Sequence, residues 1–122
     1  MSGTRAIVLG GGAVGLAFAA AAAANGTQVR VLESGPPRPS ADPDPYDARV
    51  FALSPGTRAF LDAIGAWQRL PSDRIAEVLR MDVCGDDGSS RLDFAPTDGR
   101  PLAWIVEGNR LSRALAESAS AN

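Results

Sequence analysis

The sequence contains no histidine and a single cysteine, Cys84. Without histidine, Ser-His-Asp and Cys-His catalytic groups and the usual zinc sites are excluded. One cysteine excludes an internal disulfide framework and a cysteine metal cluster. No metal site is therefore predicted. Any chemistry must come from carboxylates, arginines, backbone amides or a bound cofactor. The sequence assigns no catalytic residue among these groups.

Strong net charge and long apolar runs are also lacking. A net charge of −2 and a pI of about 5.0 give no electrostatic argument for a nucleic-acid partner. No apolar run reaches the roughly 18 residues needed to span a bilayer. Residues 1–9 lack the hydrophobic region and cleavage site of a secretory signal peptide. We therefore predict a cytoplasmic protein of ordinary domain size that does not bind nucleic acid.

The first part of the chain has the order strand, helix, strand. Residues 5–9 (RAIVL) and 28–32 (QVRVL) are typical of short strands, and the alanine-rich residues 14–25 favour a helix. Gly26 supplies the helix stop. This order predicts a βαβ unit with parallel strands and a right-handed crossover. The predicted fold class is α/β, with a Rossmann-like unit over residues 5–33.

The turn between the first strand and the helix has the pattern G-x-G-x-x-G, formed by Gly10, Gly12 and Gly15. In this motif the glycines allow a tight turn, the approach of a pyrophosphate, and close packing of helix on strand. Glu33 ends the second strand, where an acid accepts hydrogen bonds from ribose hydroxyls and repels a 2′-phosphate. The pattern predicts a dinucleotide site not suited to NADP. The alternative is an ordinary glycine-rich turn with a solvated Glu33.

A proline-rich loop over residues 34–48 follows, with five of the nine prolines. Residues 49–53 are a short apolar stretch. Ser54 followed by Pro55 predicts a helix N-cap and first helical residue, and Gly65 is expected to divide the helix that follows.

The rest of the chain departs from a simple NAD domain. Residues 75–85 and 91–96 are predicted to be strands joined by a short turn, which fits an antiparallel pair. Residues 101–108 predict a further strand and residues 109–119 a helix. An NAD domain usually continues as regular βαβ units, so these additional antiparallel strands favour FAD. Cys84 is expected to be a small buried strand residue.

Residues 47–67 (DARVFALSPGTRAFLDAIGAW) resemble the D-x-R-x-x-A-L-x-x-G-S/T segment of FAD-dependent aromatic hydroxylases. The segment resembles in particular the hydroxylases of ubiquinone biosynthesis. These enzymes are p-hydroxybenzoate-hydroxylase-like flavin monooxygenases. Residues 104–115 (WIVEGNRLSRAL) resemble the family's V-x-E-N-x-x-L-x-x-A-L, and residues 86–94 its hairpin. Gly108 departs from the family's usual asparagine. Because family members are several times longer, residues 1–122 are interpreted as the N-terminal part of an incomplete FAD-binding domain.

The resemblance also implies roles for single residues. The glycines of the turn and the next two amides would bind the FAD pyrophosphate, the acid would hold the adenosine ribose, and an arginine would reach FAD across the proline-rich loop. The start of the last helix would lie near the flavin. The implied cofactor-binding residues are Gly10, Gly12, Ala13, Val14, Gly15, Glu33, Arg49 and Asn109.

The implied function is that of the FAD-binding portion of a monooxygenase that hydroxylates a small aromatic substrate with NAD(P)H and O2. The chain alone is expected to be inactive. Peripheral association with a membrane or other enzymes is compatible with this interpretation, and the oligomeric state is not predicted. The alternatives are an NAD-dependent dehydrogenase with an unusual insertion and a non-catalytic dinucleotide-binding module.

Several residues also have purely structural interpretations. Arg49 is alternatively a surface salt-bridge residue, and Arg110 is expected to be a solvated helix residue. The two tryptophans are expected in the core. Three acids are expected to solvate the proline-rich loop: Asp42, Asp44 and Asp47.

Overall fold

The computed structural model describes residues 5–35 and 46–121. Its helices and strands, in chain order, are β1 (Arg5–Leu9), α1 (Ala13–Ala24), β2 (Gln28–Leu32), β3 (Val50–Leu53), α2 (Pro55–Ala63), β4 (Ala76–Val78), β5 (Met81–Cys84), β6 (Arg91–Phe94), β7 (Ala103–Glu107) and α3 (Gly108–Ala121). The predicted mixed α/β class is confirmed. Most of the predicted proline-rich loop, residues 36–45, lies outside the described residues.

The strand-helix-strand order at the start of the chain forms as predicted. β1 and β2 pair in parallel, with Arg5 opposite Gln28 and Leu9 opposite Leu32. α1 connects them and ends before Gly26, whose φ of +79° lies in the left-handed region that favours glycine.

A second sheet has the strand order β3-β7-β4, and both pairings are antiparallel. A separate antiparallel hairpin is formed by β5 and β6. The prediction of one strand over residues 75–85 is wrong, because β4 pairs with β7 whereas β5 pairs with β6. The chain changes partner between the two strands. The predicted antiparallel hairpin itself is confirmed.

α2 begins at the predicted residue. The Ser54 hydroxyl accepts a hydrogen bond from the Thr57 amide at 3.2 Å, and Pro55 is the first helical residue. The helix ends at Ala63, and Gly65 adopts a φ of +74° before a short 3₁₀ turn. The predicted division at Gly65 is therefore confirmed.

The core lies between the three helices and the inner face of the β3-β7-β4 sheet. α1 packs on α3 through small side chains, with Ala20 and Ala114 both buried. The rest of the buried core consists of Leu53, Leu61, Ile64, Ala66, Leu70, Val106, Leu111 and Leu115. Trp104 is buried and Trp67 packs against the core, as predicted.

The β5-β6 hairpin lies outside this core, and every residue of its two strands is exposed. The prediction that Cys84 is buried is therefore wrong, because the strand that carries it has no packed face. Within residues 5–35 and 46–121, no helix is both long enough and apolar enough to cross a membrane.

Candidate functional site

The glycine turn joins β1 to α1 with little room for side chains. Gly10 adopts a φ of +102°, and its amide donates to the Leu32 carbonyl at 2.8 Å. A Cβ on Gly15 would lie 2.1 Å from the Gly10 carbonyl oxygen, so only glycine fits. A Cβ on Gly12 would meet nothing within 4 Å. The turn is therefore closed on the side of the strand and open at Gly12.

The N-terminus of α1 leaves backbone donors available at this open side. Gly12 is the N-cap residue and provides no side-chain hydrogen bond, and the first turn carries no acidic residue. The Gly12 carbonyl accepts from the Leu16 amide at 2.9 Å, which begins the helical hydrogen bonding. The amides of Ala13 and Val14 precede that bond and have no partner within the helix. Together with the helix dipole they favour an anion.

Glu33 lies beside the same turn, one residue beyond β2. Its carboxylate accepts hydrogen bonds from the Gly11 amide at 2.7 Å and the Ser34 amide at 2.8 Å, with the Gly35 amide at 3.3 Å. The Gly11 amide is the largest of the causes that lower the pKa of Glu33 below its usual value. The carboxylate is therefore ionised at neutral pH and oriented toward the glycine turn.

Asp47 joins the end of the proline-rich loop to the start of α3. Its carboxylate accepts from the Arg49 amide at 3.0 Å and from the Asn109 amide at 2.9 Å. These two bonds, Arg49 first, lower the pKa of Asp47. Asp47 therefore caps α3 across 62 residues of chain, and the expectation that it only solvates the loop is wrong.

Glu107, at the end of β7, is buried beneath this connection. It accepts from Arg74 through both oxygens, at 2.9 and 2.8 Å, and from Arg110 Nε at 2.8 Å. It also accepts from the Asp47 amide at 2.8 Å. These bonds, led by those of Arg74, outweigh burial and lower the pKa of Glu107 to about 2.

The same residues correct a further prediction. Arg110 is paired with Glu107 and mostly buried, so the expectation of a solvated side chain is wrong. The guanidinium of Arg74 also lies over the ring of Tyr46, with 3.8 Å between its carbon and the ring centroid. Residues 46–49 are therefore fixed against β7 and α3.

A cavity of about 190 Å³ lies between the N-termini of α1 and α3. It is lined by Ala13, Asp47, Arg49, Phe51, Gly108, Asn109 and Ser112. Three predicted site residues, Ala13, Arg49 and Asn109, are thus brought together from distant parts of the chain. The Arg49 side chain makes no ion pair within the described residues.

The other predicted residues surround this cavity without lining it. The three motif glycines and Val14 belong to the turn that precedes Ala13 or to the first turn of α1, and Glu33 contacts Gly11. Gly108 has little room for a side chain, since an added Cβ would lie 3.1 Å from Phe51 and 3.2 Å from the Arg49 carbonyl oxygen. Asp42 and Asp44 lie outside the described residues.

The sequence patterns did not predict a role for Glu107 or Arg74, or the capping role of Asp47. Asp47 and Glu107 both occur inside the segments that resemble the hydroxylases, residues 47–67 and 104–115. The presence of these two acids in the resembling segments was the sequence signal that could have identified them as site residues. Arg74 gave none, because it lies 33 residues from its partner in a short 3₁₀ turn.

No family model matches the chain. Among curated proteins, it is 30% identical over 120 residues to ubiquinone hydroxylase UbiM of Neisseria meningitidis, covering 93% of this chain and 26% of that protein. It is also 30% identical over 118 residues to mitochondrial ubiquinone biosynthesis monooxygenase COQ6 of Caenorhabditis elegans, covering 91% and 26%. With the 3-demethoxyubiquinol 3-hydroxylase of Escherichia coli it shares 28% identity, covering 98% and 31%.

Solved structures give the same picture of the fold. The p-nitrophenol 4-monooxygenase of Pseudomonas putida matches with a TM-score of 0.68 and 25% identity, covering 99% of this chain and 30% of that one. A tetrameric 2-methyl-3-hydroxypyridine-5-carboxylic acid oxygenase matches with a TM-score of 0.71 and 24% identity, covering 99% and 30%.

The chain spans about a quarter of the length of the first curated relatives it matches. The resemblance predicted from residues 47–67 and 104–115 is confirmed by these relatives. Nearly the whole chain is therefore homologous to a segment of the ubiquinone-biosynthesis hydroxylases that makes up about a quarter to a third of each of those proteins.

Proposed function

We propose that this chain is the FAD-binding portion of a flavin-dependent monooxygenase that hydroxylates an aromatic ring. The observation that carries the proposal is the cavity between the N-termini of α1 and α3, where Ala13, Arg49 and Asn109 meet. The resemblance assigned these three positions to FAD. A glycine-rich turn that served only the fold would not need residues from such distant parts of the chain beside it.

The residues present fit the phosphate portion of FAD. The turn is open at Gly12, and the amides of Ala13 and Val14 are available to an anion. Arg49 adds a fixed positive charge whose planar fork suits phosphate oxygens. Glu33 is ionised and beside the turn, so it suits ribose hydroxyls and disfavours a 2′-phosphate.

When bound, FAD would supply the redox and oxygen chemistry, with NAD(P)H as the reductant. The chain's own residues bind and orient. Asp47 and Glu107 hold Arg49 and Asn109 in place through backbone hydrogen bonds, so the cavity is formed before a ligand enters. Preformed donors of this kind avoid the cost of ordering them on binding.

The relatives support the activity. Two are named hydroxylases and one a monooxygenase of ubiquinone biosynthesis, and a matching structure is a p-nitrophenol monooxygenase. We assign residues 1–122 to part of an FAD-binding domain of such an enzyme, with a small aromatic molecule as substrate. Cytoplasmic location is part of the same proposal.

The proposal is tested by equilibrium binding of FAD and of NAD to the chain, beside two arginine variants. Arg49→Met removes the charge at the cavity, whereas Arg69→Met removes an exposed charge of the 3₁₀ turn after α2. We expect FAD to bind in preference to NAD. Arg49→Met should weaken FAD binding roughly ten- to a hundred-fold, as for a lost charge-assisted hydrogen bond. Arg69→Met should leave it unchanged.

Other results would contradict specific parts of this proposal. Tight NAD binding without FAD binding would favour the dehydrogenase alternative. Equal FAD affinity in Arg49→Met and the unmodified chain would remove Arg49 from the site. Failure of a folded chain, verified by circular dichroism, to bind FAD would overturn the proposal.

A further inference from the structure

A groove of about 700 Å³ opens beside the start of β7, at the end of that strand away from Gly108. Its walls include the rings of Trp67 and Trp104, which meet edge to face with centroids 6.0 Å apart. Arg58 of α2 lies against both rings, its guanidinium carbon 4.8 Å from one centroid and 5.2 Å from the other. The rest of the lining is Ser72, Ile75, Glu77, Arg100 and Pro101.

The guanidinium of Arg58 lacks an anionic partner within residues 5–35 and 46–121. Its Nε is buried and makes no hydrogen bond there. Arg74 and Arg110 are also partly buried, and both pair with Glu107. This atom is closed to solvent, so an anion in the groove would have to bond to the terminal nitrogens of Arg58 instead. The two rings attract the positive charge but offer no acceptor in the plane of the guanidinium.

The charged side chains around the groove are of both signs, and Arg58 is the one placed against the two rings where an anion could meet it. Two arginines and one glutamate line it, and one of the arginines, Arg100, is exposed and paired with Asp98 at 2.7 Å. Glu77 makes no ion pair within the described residues and sits opposite Trp104 in the sheet register. The remaining unpaired cation is Arg58, set between flat aromatic surfaces.

We propose that this groove binds a small aromatic carboxylate. Its ring would lie against Trp67 and Trp104, and its carboxylate would accept hydrogen bonds from the guanidinium of Arg58. The planar fork of arginine matches a carboxylate, and indole faces match an aromatic body. Concave sites with aromatic walls and few polar groups are typical of small-molecule binding. The inference uses none of the residues assigned to FAD.

The test is a titration of the 122-residue chain with benzoate, followed by tryptophan fluorescence and by calorimetry. Benzamide, which has the same shape without the charge, is the matched ligand. We expect benzoate to bind at least tenfold more tightly than benzamide. Arg58→Gln should abolish this preference, because the variant keeps hydrogen-bond donors but loses the charge.

Two further variants keep the result interpretable. Glu77→Gln removes the carboxylate that repels the ligand, so benzoate should bind more tightly, the opposite direction from Arg58→Gln. Arg58→Lys retains the charge without the planar fork and should bind benzoate with intermediate affinity. Circular dichroism establishes that each variant is folded.

The proposal is overturned if benzoate and benzamide bind equally, if neither binds at millimolar concentration, or if Arg58→Gln and Arg58→Lys both retain full benzoate affinity. Arg58 would then serve only to pack against the two tryptophans. The FAD-binding proposal is unaffected by any of these results, because FAD titrations report on a different set of residues.

Discussion

At the scale of single residues, two glycines of one turn are constrained in opposite ways. A Cβ on Gly15 would lie 2.1 Å from a backbone oxygen, whereas a Cβ on Gly12 would meet nothing within 4 Å. The first glycine is therefore required by the fold itself. The second is not required by packing, and its missing side chain leaves the backbone there open to a ligand.

Alanine substitutions separate these two requirements. We expect Gly15→Ala to lower the free energy of unfolding by about 1–3 kcal/mol or more, because the added methyl group clashes with backbone that cannot move aside. Gly12→Ala should cost at most about 1 kcal/mol, because alanine is a poorer N-cap than glycine, but it should weaken FAD binding, because its methyl group occupies the open side of the turn. Urea unfolding and FAD titration of both variants provide the measurements. Unchanged FAD affinity in Gly12→Ala would contradict the phosphate position assigned here.

Glu107 should make stability depend on pH in the acid range. Its pKa is lowered from the ordinary 4.5 to about 2 in the folded chain, first by Arg74. A lowered folded pKa stabilises the fold above pH 4.5, and this contribution is lost as the pH falls from 4.5 through about 2.

Glu107→Gln should therefore lose about 3 kcal/mol at pH 7, since the two arginines keep buried charges without a carboxylate. The variant and the unmodified chain should converge in stability as the pH approaches 2. Glu117→Gln is the control, because its pair with Arg113 is exposed and contributes little. Urea unfolding from pH 7 to pH 2 measures the difference. A constant difference across that range would show that ionisation of Glu107 is not the cause.

At the scale of elements, the N-termini of α2 and α3 are capped in two different ways. Ser54 caps α2 from the adjacent position, whereas Asp47 caps α3 from a segment 62 residues earlier. A local cap stabilises its helix. A cap supplied by a distant segment also fixes where that segment lies.

The two caps should therefore differ in what their loss affects. We expect Ser54→Ala to cost about 1 kcal/mol of stability and to leave FAD affinity unchanged. Asp47→Ala should lower the melting temperature and also weaken FAD binding, because Arg49 and Asn109 lose their shared acceptor. Thermal unfolding and FAD titration measure both effects. If the two variants changed FAD affinity equally, Asp47 would have no specific part in forming the cavity.

The same contrast explains which elements the sequence predicted. The glycine turn, the Ser54-Pro55 helix start and the division at Gly65 depend on neighbouring residues, so their signals are complete within a few positions. The pairing of β4 with β7 depends on strands that are distant in the chain, and residues 75–85 carried no local break to predict it. The ion pair of Arg74 with Glu107 was unpredictable for the same reason.

At the scale of the whole molecule, the packed core covers only part of the described secondary structure. The β5-β6 hairpin has one face of alternating ion pairs, in which Arg80 contacts Asp82 and Arg91 contacts Asp93. The other face carries four exposed apolar side chains, with Met81 opposite Phe94 and Val83 opposite Leu92. Grouped apolar side chains on a strand pair are prone to association.

We therefore expect the chain to self-associate through this apolar face of the hairpin. Its weight-average mass in analytical ultracentrifugation should rise with concentration. The double variant Leu92→Thr with Phe94→Thr should reduce that rise without lowering stability, because threonine favours strands and both side chains are already about half exposed. Asp93→Asn, on the opposite face of the same strand, is the matched control and should associate as the unmodified chain does. Association that persists in the threonine variant would place the contact elsewhere, and the exposed β1 and β2 residues Ile7, Leu9 and Leu32 would be tested next in the same way.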